Sequence, residues 1–167
     1  MNLRFKIRAD LLDRVRIDLR RRHRFAHERV GFITAGLCTF AGGVLAIARD
    51  YRPVDDDDYV DTPGVGAMMA PDAIRKAQER ALFARDAIFH VHTHGGRGVP
   101  AFSGVDLREN VKFVPDFLKV APHALHGAIV LSNDAALGQC WLTRGDAAVP
   151  LRDFTVVGPA TTKWGRA

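Results

Sequence analysis

Cysteine is scarce. The chain has two, Cys38 and Cys140, far apart in sequence. That excludes a disulfide-dense secreted scaffold and a thiolate zinc knuckle, and it points to a reducing, cytoplasmic compartment. Internal repeats and low-complexity tracts are absent. The first thirty residues contain no long apolar core, so no secretory leader is expected. Long uncharged runs are also few. The one that needs weighing is VGFITAGLCTFAGGVLAIA, residues 30–48, nineteen residues behind the basic RRRHR segment. A membrane helix obeying the positive-inside rule has that layout. Gly31, Gly36, Gly42 and Gly43 interrupt it, however, and Gly42-Gly43 reads as a turn between two buried strands. A hairpin is therefore expected, and no membrane association.

What is present fits one ordinary domain over residues 1–167. An apolar fraction of 47% with 26% charged residues excludes disordered, collagen-like and coiled-coil classes. The net charge of +5 is unevenly placed. Residues 1–30 hold ten Lys/Arg and four acids, a net +6, which leaves −1 on the other 137 residues. Arg14, Arg20, Arg21 and Arg24 lie mostly off the apolar stripe of Leu12, Val15 and Leu19. They read either as a solvated helix face or as a patch for nucleic acid, lipid headgroups or an acidic protein.

Periodicity places the elements. Apolar Leu3, Phe5 and Ile7 alternate in a strand over 2–9, and a helix follows over about 10–24. Strands are expected at 29–37 and 43–54, then an acidic loop through DDDD (55–58) to Gly64, then a short strand at 65–69. Pro71 and Asp72 open a second helix with Ile74, Ala77 and Ala81 as its stripe. AIFHVHTH (87–94) is a strand and GGRGVPAF (95–102) a loop. A third helix follows Ser103 and should kink or break at Pro115. LHGAIVLSN, LGQCWLTR and LRDFTVVG close the chain as strands. The order predicts an α/β sandwich, a mixed central sheet flanked by helices.

The chemistry concentrates in one stretch. His90, His92 and His94 alternate along the fourth long strand, so all three imidazoles share a face. Neutral imidazole is a good zinc ligand, and Asp106, a loop later, can supply an oxygen. Ser103-x-x-Asp106 is also a helix N-cap with an acid three residues on; capping and ligation are compatible, because the cap fixes where Asp106 stands. Glu28, read by itself, is equally an acid pairing with Arg24 or Arg29.

Together these residues resemble the JAMM (JAB/MPN) zinc metalloproteases. That family's signature is an upstream glutamate, then H-x-H, seven residues, Ser, two residues and Asp. His92-Thr93-His94 and Ser103-Gly104-Val105-Asp106 look like its core, and Glu28 in ERVGFITAG looks like the glutamate. Three departures are visible: eight residues separate His94 from Ser103, Gly95 replaces the proline usual after the second histidine, and His90 adds an imidazole. The resemblance covers the element order of most of the chain. It implies an MPN/cytidine-deaminase-like α-β sandwich, one zinc held by His92, His94 and Asp106, Glu28 as general acid/base, and Ser103 stabilising the developing oxyanion. It further implies a compact, bacterial-type peptidase or isopeptidase. Such an enzyme would cut a ubiquitin-like protein from its conjugate or precursor, alone or beside E1/E2-like conjugation enzymes. The expected substrate is an extended tail with small residues before the scissile bond, received by strand addition at VGAMMA (65–70). Nucleic acid is not an expected partner on this reading. The competing reading is an inactive MPN-type scaffold or a nucleic-acid-binding module that uses the Arg-rich helix.

Overall fold

The alternation in the first seven residues after Met1 does build a strand, β1 (Asn2–Arg8), with Leu3, Phe5 and Ile7 buried. The computed structural model describes residues 1–24 and 26–165. Helix α1 (Ala9–Leu19) buries Leu11, Leu12, Val15 and Leu19. It stops five residues short of the expected end at 24. The next positions on its apolar stripe are Arg22 and His23, which give a further turn nothing to bury. Arg20, Arg21, Arg22 and Arg24 thus lie beyond the helix rather than on it.

The uncharged run folds as strands. It supplies β2 (Val30–Phe40) and much of β3 (Gly43–Pro53), paired antiparallel through a turn at Gly42, which takes φ 82°. Among the described residues no helix is long and apolar enough to cross a membrane. A short 3-10 turn at Asp56–Asp58 leads into the 65–70 segment. The strand expected there is reduced to a single bridge between Tyr59 and Met69. Helix α2 (Pro71–Ala84) starts at the proline and buries Ala73, Ala77 and Ala81.

Strand β4 (Ala87–Thr93) carries the histidines, and α3 (Gly104–Phe113) follows the loop. Pro115 ends α3 as expected, in a 3-10 stretch over Val114–Lys119. Then come β5 (His126–Leu131), β6 (Ala136–Trp141), a two-residue β7 (Val149–Pro150), β8 (Asp153–Val157) and β9 (Thr162–Gly165). The sequence reading missed β7 and β9. Each is too short to show a period.

Among the described residues nine strands join one mixed sheet in the order β7-β6-β5-β4-β2-β3-β1-β8-β9. The pairs β1/β3, β1/β8 and β4/β5 are parallel and the others antiparallel. The expected mixed sheet with flanking helices is thus present. Helix α1 covers one face, over Phe5, Ile33, Phe89, Val91 and Ile129. Phe5 meets Phe89 edge-on at 4.8 Å and stacks on Phe154 at 5.1 Å. The other face packs Val30, Phe32 and Ile88 against the alanines of α2 and against Val114 and Phe117 behind α3. His90 and His92 alternate with Phe89 and Val91 on β4, so they point to this second face, under α3.

Candidate metal centre

Two elements bring the donors together. β4 lies between β2 and β5, so it is held on both edges, with His92 paired to Val30 and to Val130. His94, one residue past the strand, stays in line because its N–H donates to the Leu131 carbonyl at 3.1 Å. On the other side Ser103 and Asp106 form a reciprocal capping box. The Asp106 N–H donates to Ser103 Oγ at 3.1 Å, and the Ser103 N–H donates to Asp106 Oδ2 at 2.7 Å. The cap therefore fixes the Asp106 side chain as well as the helix start.

The eight-residue loop between them closes without disturbing either end. Gly95, Gly96 and Gly98 adopt φ values of 64°, 66° and 80°, a region closed to most residues with a Cβ. The loop is tied to the turn after β5. The Asn133 N–H donates to the Gly96 carbonyl, the Gly98 N–H to Asp134 Oδ1, and Ser132 Oγ to the Gly98 carbonyl.

His92 Nε2, His94 Nε2 and Asp106 Oδ2 form a nearly equilateral triangle. The edges are 3.1 Å between the imidazoles, 3.4 Å from His92 to Asp106 and 3.3 Å from His94 to Asp106. Ligand bonds of roughly 2.0–2.1 Å set the corners of a tetrahedron about 3.3–3.4 Å apart, so the triangle has the size of one face of a zinc site. Three donor atoms facing one another also suit a cation better than each other, since a single N–H serves only one of the three edges. The donor set could hold a divalent metal ion and is compatible with zinc. The His92 side chain is 2% exposed, those of Asp106 and His94 17% and 27%, so the triangle opens toward solvent on the His94 side.

Electrostatics agree with the geometry. Burial acts to raise the pKa of Asp106. The hydrogen bond and charge of His92, with the bonds from Ser103, outweigh it and hold the carboxyl well below its usual range. His90 lies deeper, and burial, with the neighbouring His92, pushes its pKa down to about 3, so the ring is neutral.

Of the expected site residues, His92, His94, Asp106 and Ser103 come together. Glu28 stands apart from the ligand triangle, two residues before Val30, the partner of His92. Its backbone is pinned: the N–H groups of His27 and Glu28 both donate to the Gly66 carbonyl, at 2.8 and 2.9 Å. Its carboxylate rests against Gly66. Arg29, which the sequence offered as a partner for Glu28, turns inward instead, pairs with Asp56 and lies over the Tyr59 ring. Sequence reasoning passed over two residues here. Gly66 carried no signal. Asn110, buried one turn beyond Asp106, could have been found from its i+4 spacing on the same helix face.

No protein-family model and no curated protein matches the chain. Among solved structures it is similar to the N-terminal domain of STIL from Trichoplax adhaerens, at 12% identity and a TM-score of 0.41. The match covers 83% of this chain and 41% of that one. A likeness at that level says nothing of function.

Proposed function

We propose that this chain is a zinc-dependent peptidase of the JAMM type, with an MPN-like sandwich, acting on an amide at the C-terminus of a ubiquitin-like protein. The observation that carries this reading is the His92–His94–Asp106 triangle, with edges of 3.1–3.4 Å and an open side toward solvent. Support also comes from the capping box, which matches the Ser-x-x-Asp half of the family signature.

When bound, zinc supplies a Lewis acid that acidifies water and polarises a carbonyl oxygen. His92, His94 and Asp106 would hold it. Glu28 accepts the proton of the attacking water and returns it to the leaving amine nitrogen as the C–N bond breaks. Ser103 Oγ already accepts the Asp106 N–H, so its own O–H is free to donate to the carbonyl oxygen as negative charge develops there.

The 65–70 segment does not offer a free strand edge on its 58–60 side. The Val60 N–H donates to the Met68 carbonyl and the Ala70 N–H to the Asp58 carbonyl. A substrate tail would therefore not be received by strand addition on that side. Small residues before the scissile bond would remain the preferred substrate feature, and E1/E2-like enzymes are the partners such a hydrolase would accompany.

The test is zinc content and cleavage of a fusion between a ubiquitin-like protein with a Gly-Gly tail and a reporter. Wild type should hold about one zinc and cleave it, and Glu28→Gln should keep the zinc and lose turnover. Turnover that survives in a folded, zinc-loaded Glu28→Gln variant rules out the mechanism. Zinc-loaded wild type with no cleavage of any such fusion favours the scaffold reading.

A further inference from the structure

His90 and Asn110 are buried beside the triangle and take no part in it. Both ring nitrogens of His90 and the Asn110 amide nitrogen are shielded from solvent and lack a full hydrogen bond among the described residues. The surroundings are aromatic: Phe113 lies edge-on to His90 at 5.1 Å and Phe32 at 5.8 Å, with the His92 ring at 5.6 Å. Leaving such groups unsatisfied is costly, and a leucine or phenylalanine would suit the shell better. The chain gives up stability here.

The geometry points to a reason. We infer that His90 and Asn110 form a second rung between β4 and α3, which seats the helix at the height that brings Asp106 to His92 and His94. This rests on the triangle being a metal centre, not on the peptidase reading.

Asp106 and Asn110 stand one helical turn apart on one face, about 6 Å along the axis. His92 and His90 stand two residues apart on one face of the strand, a rise of about 6.6 Å. The two spacings nearly match. The outer rung is therefore Asp106 against His92 and His94, and the matched spacings set Asn110 one step inward, level with His90. An apolar pair on the inner rung could slide by a fraction of an ångström without loss, because apolar contact has no direction. Two buried polar groups held level resist such a slip, since polar interaction is directional and a shift takes each further from the other with no water to replace it. His90 also stacks on His92, with 30° between the ring planes, and so limits rotation of that ligand. Both residues are positioning residues: they shape the ligand triangle from behind.

The test uses the full chain, stripped of metal and reloaded, with His90→Phe and Asn110→Leu as variants. Three quantities are read: zinc affinity by chelator competition, the visible spectrum of the cobalt-loaded protein, and thermal melting of the metal-free chain. In each variant zinc should bind at least about tenfold more weakly and the cobalt bands should shift, while the metal-free chain melts no lower than wild type. Either variant alone carries the comparison if the other fails to fold. Unchanged affinity and cobalt spectrum in the variants overturns the inference, as does lost affinity confined to variants whose metal-free fold is weakened. Wild type that binds neither zinc nor cobalt removes the metal centre itself, and the rung with it.

Discussion

The Glu28 carboxylate occupies the space that a side chain at Gly66 would need: a Cβ there would stand 2.8 Å from Glu28 Oε2. Gly66 has no positive φ, so alanine strains no backbone. The carboxylate, the far end of a flexible side chain, is what must move. Gly66→Ala should therefore leave melting temperature and zinc content near wild type and lower turnover about ten- to a hundredfold, by displacing the base. Wild-type turnover in a folded Gly66→Ala protein would show that the carboxylate position is irrelevant to the reaction.

Asp106 has two jobs, one in the cap and one in the triangle. Asp106→Ala should lose zinc and about 1 kcal/mol of stability with the cap. Asp106→Asn keeps an oxygen for the Ser103 N–H, so it should retain most of that stability yet bind zinc far more weakly. His92→Ala should lose zinc with the cap intact. Elemental analysis and thermal melting of the three variants check this. Full zinc occupancy in His92→Ala and Asp106→Ala would dismiss the ligand assignment.

His126 is wholly buried, and both its ring nitrogens are used. Nδ1 accepts the Ile88 N–H at 3.1 Å, so the ring proton sits on Nε2, 3.1 Å from the Ala121 carbonyl. Burial pushes its pKa down to about 4. Below about pH 6.5 the unfolded chain's imidazole takes a proton that the folded one refuses, so stability falls as pH drops from about 6.5 to 4. His126 contributes a slope of about 1.4 kcal/mol per pH unit in that window and none above it. Urea unfolding of the metal-free chain at several pH values, against His126→Gln, isolates the term. Parallel pH profiles for the two proteins would contradict it.

The N-terminal cations are dispersed by pairing. Arg4 meets Asp153, Arg8 meets Asp10, Arg14 meets Asp50, Arg21 meets Asp18, and Arg20 donates to Asn133 Oδ1. Such exposed pairs add about 0–1 kcal/mol each, and those with Asp50 and Asp153, which lie outside the first thirty residues, offset part of the excess charge of the segment. An Arg20/Arg21/Arg22→Ala variant should keep turnover on a small model amide and lose little stability. Tight DNA binding by wild type at physiological salt that vanishes in this variant would carry the nucleic-acid reading instead.

Local pattern sufficed for most of the elements and for the candidate ligands. Leu3/Phe5/Ile7 and His90/His92/His94 declare strands because side chains alternate by two, and Pro71, Ser103 and Pro115 mark helix ends because each restricts the backbone where it stands. His92, His94, Ser103 and Asp106 were legible for the same reason, since period and cap act within a few residues. What required the tertiary structure acts across the chain. The end of α1 at Leu19 depends on what lies opposite its stripe. β7 and β9 are strands only because β6 and β8 offer them edges. The closeness of Gly66 to Glu28 joins segments 38 residues apart, and the dispersal of the N-terminal charge needs Asp50 and Asp153. The ligand types were thus local properties, whereas the triangle's 3.1–3.4 Å edges come from packing α3 on β4, a contact that no window of sequence contains.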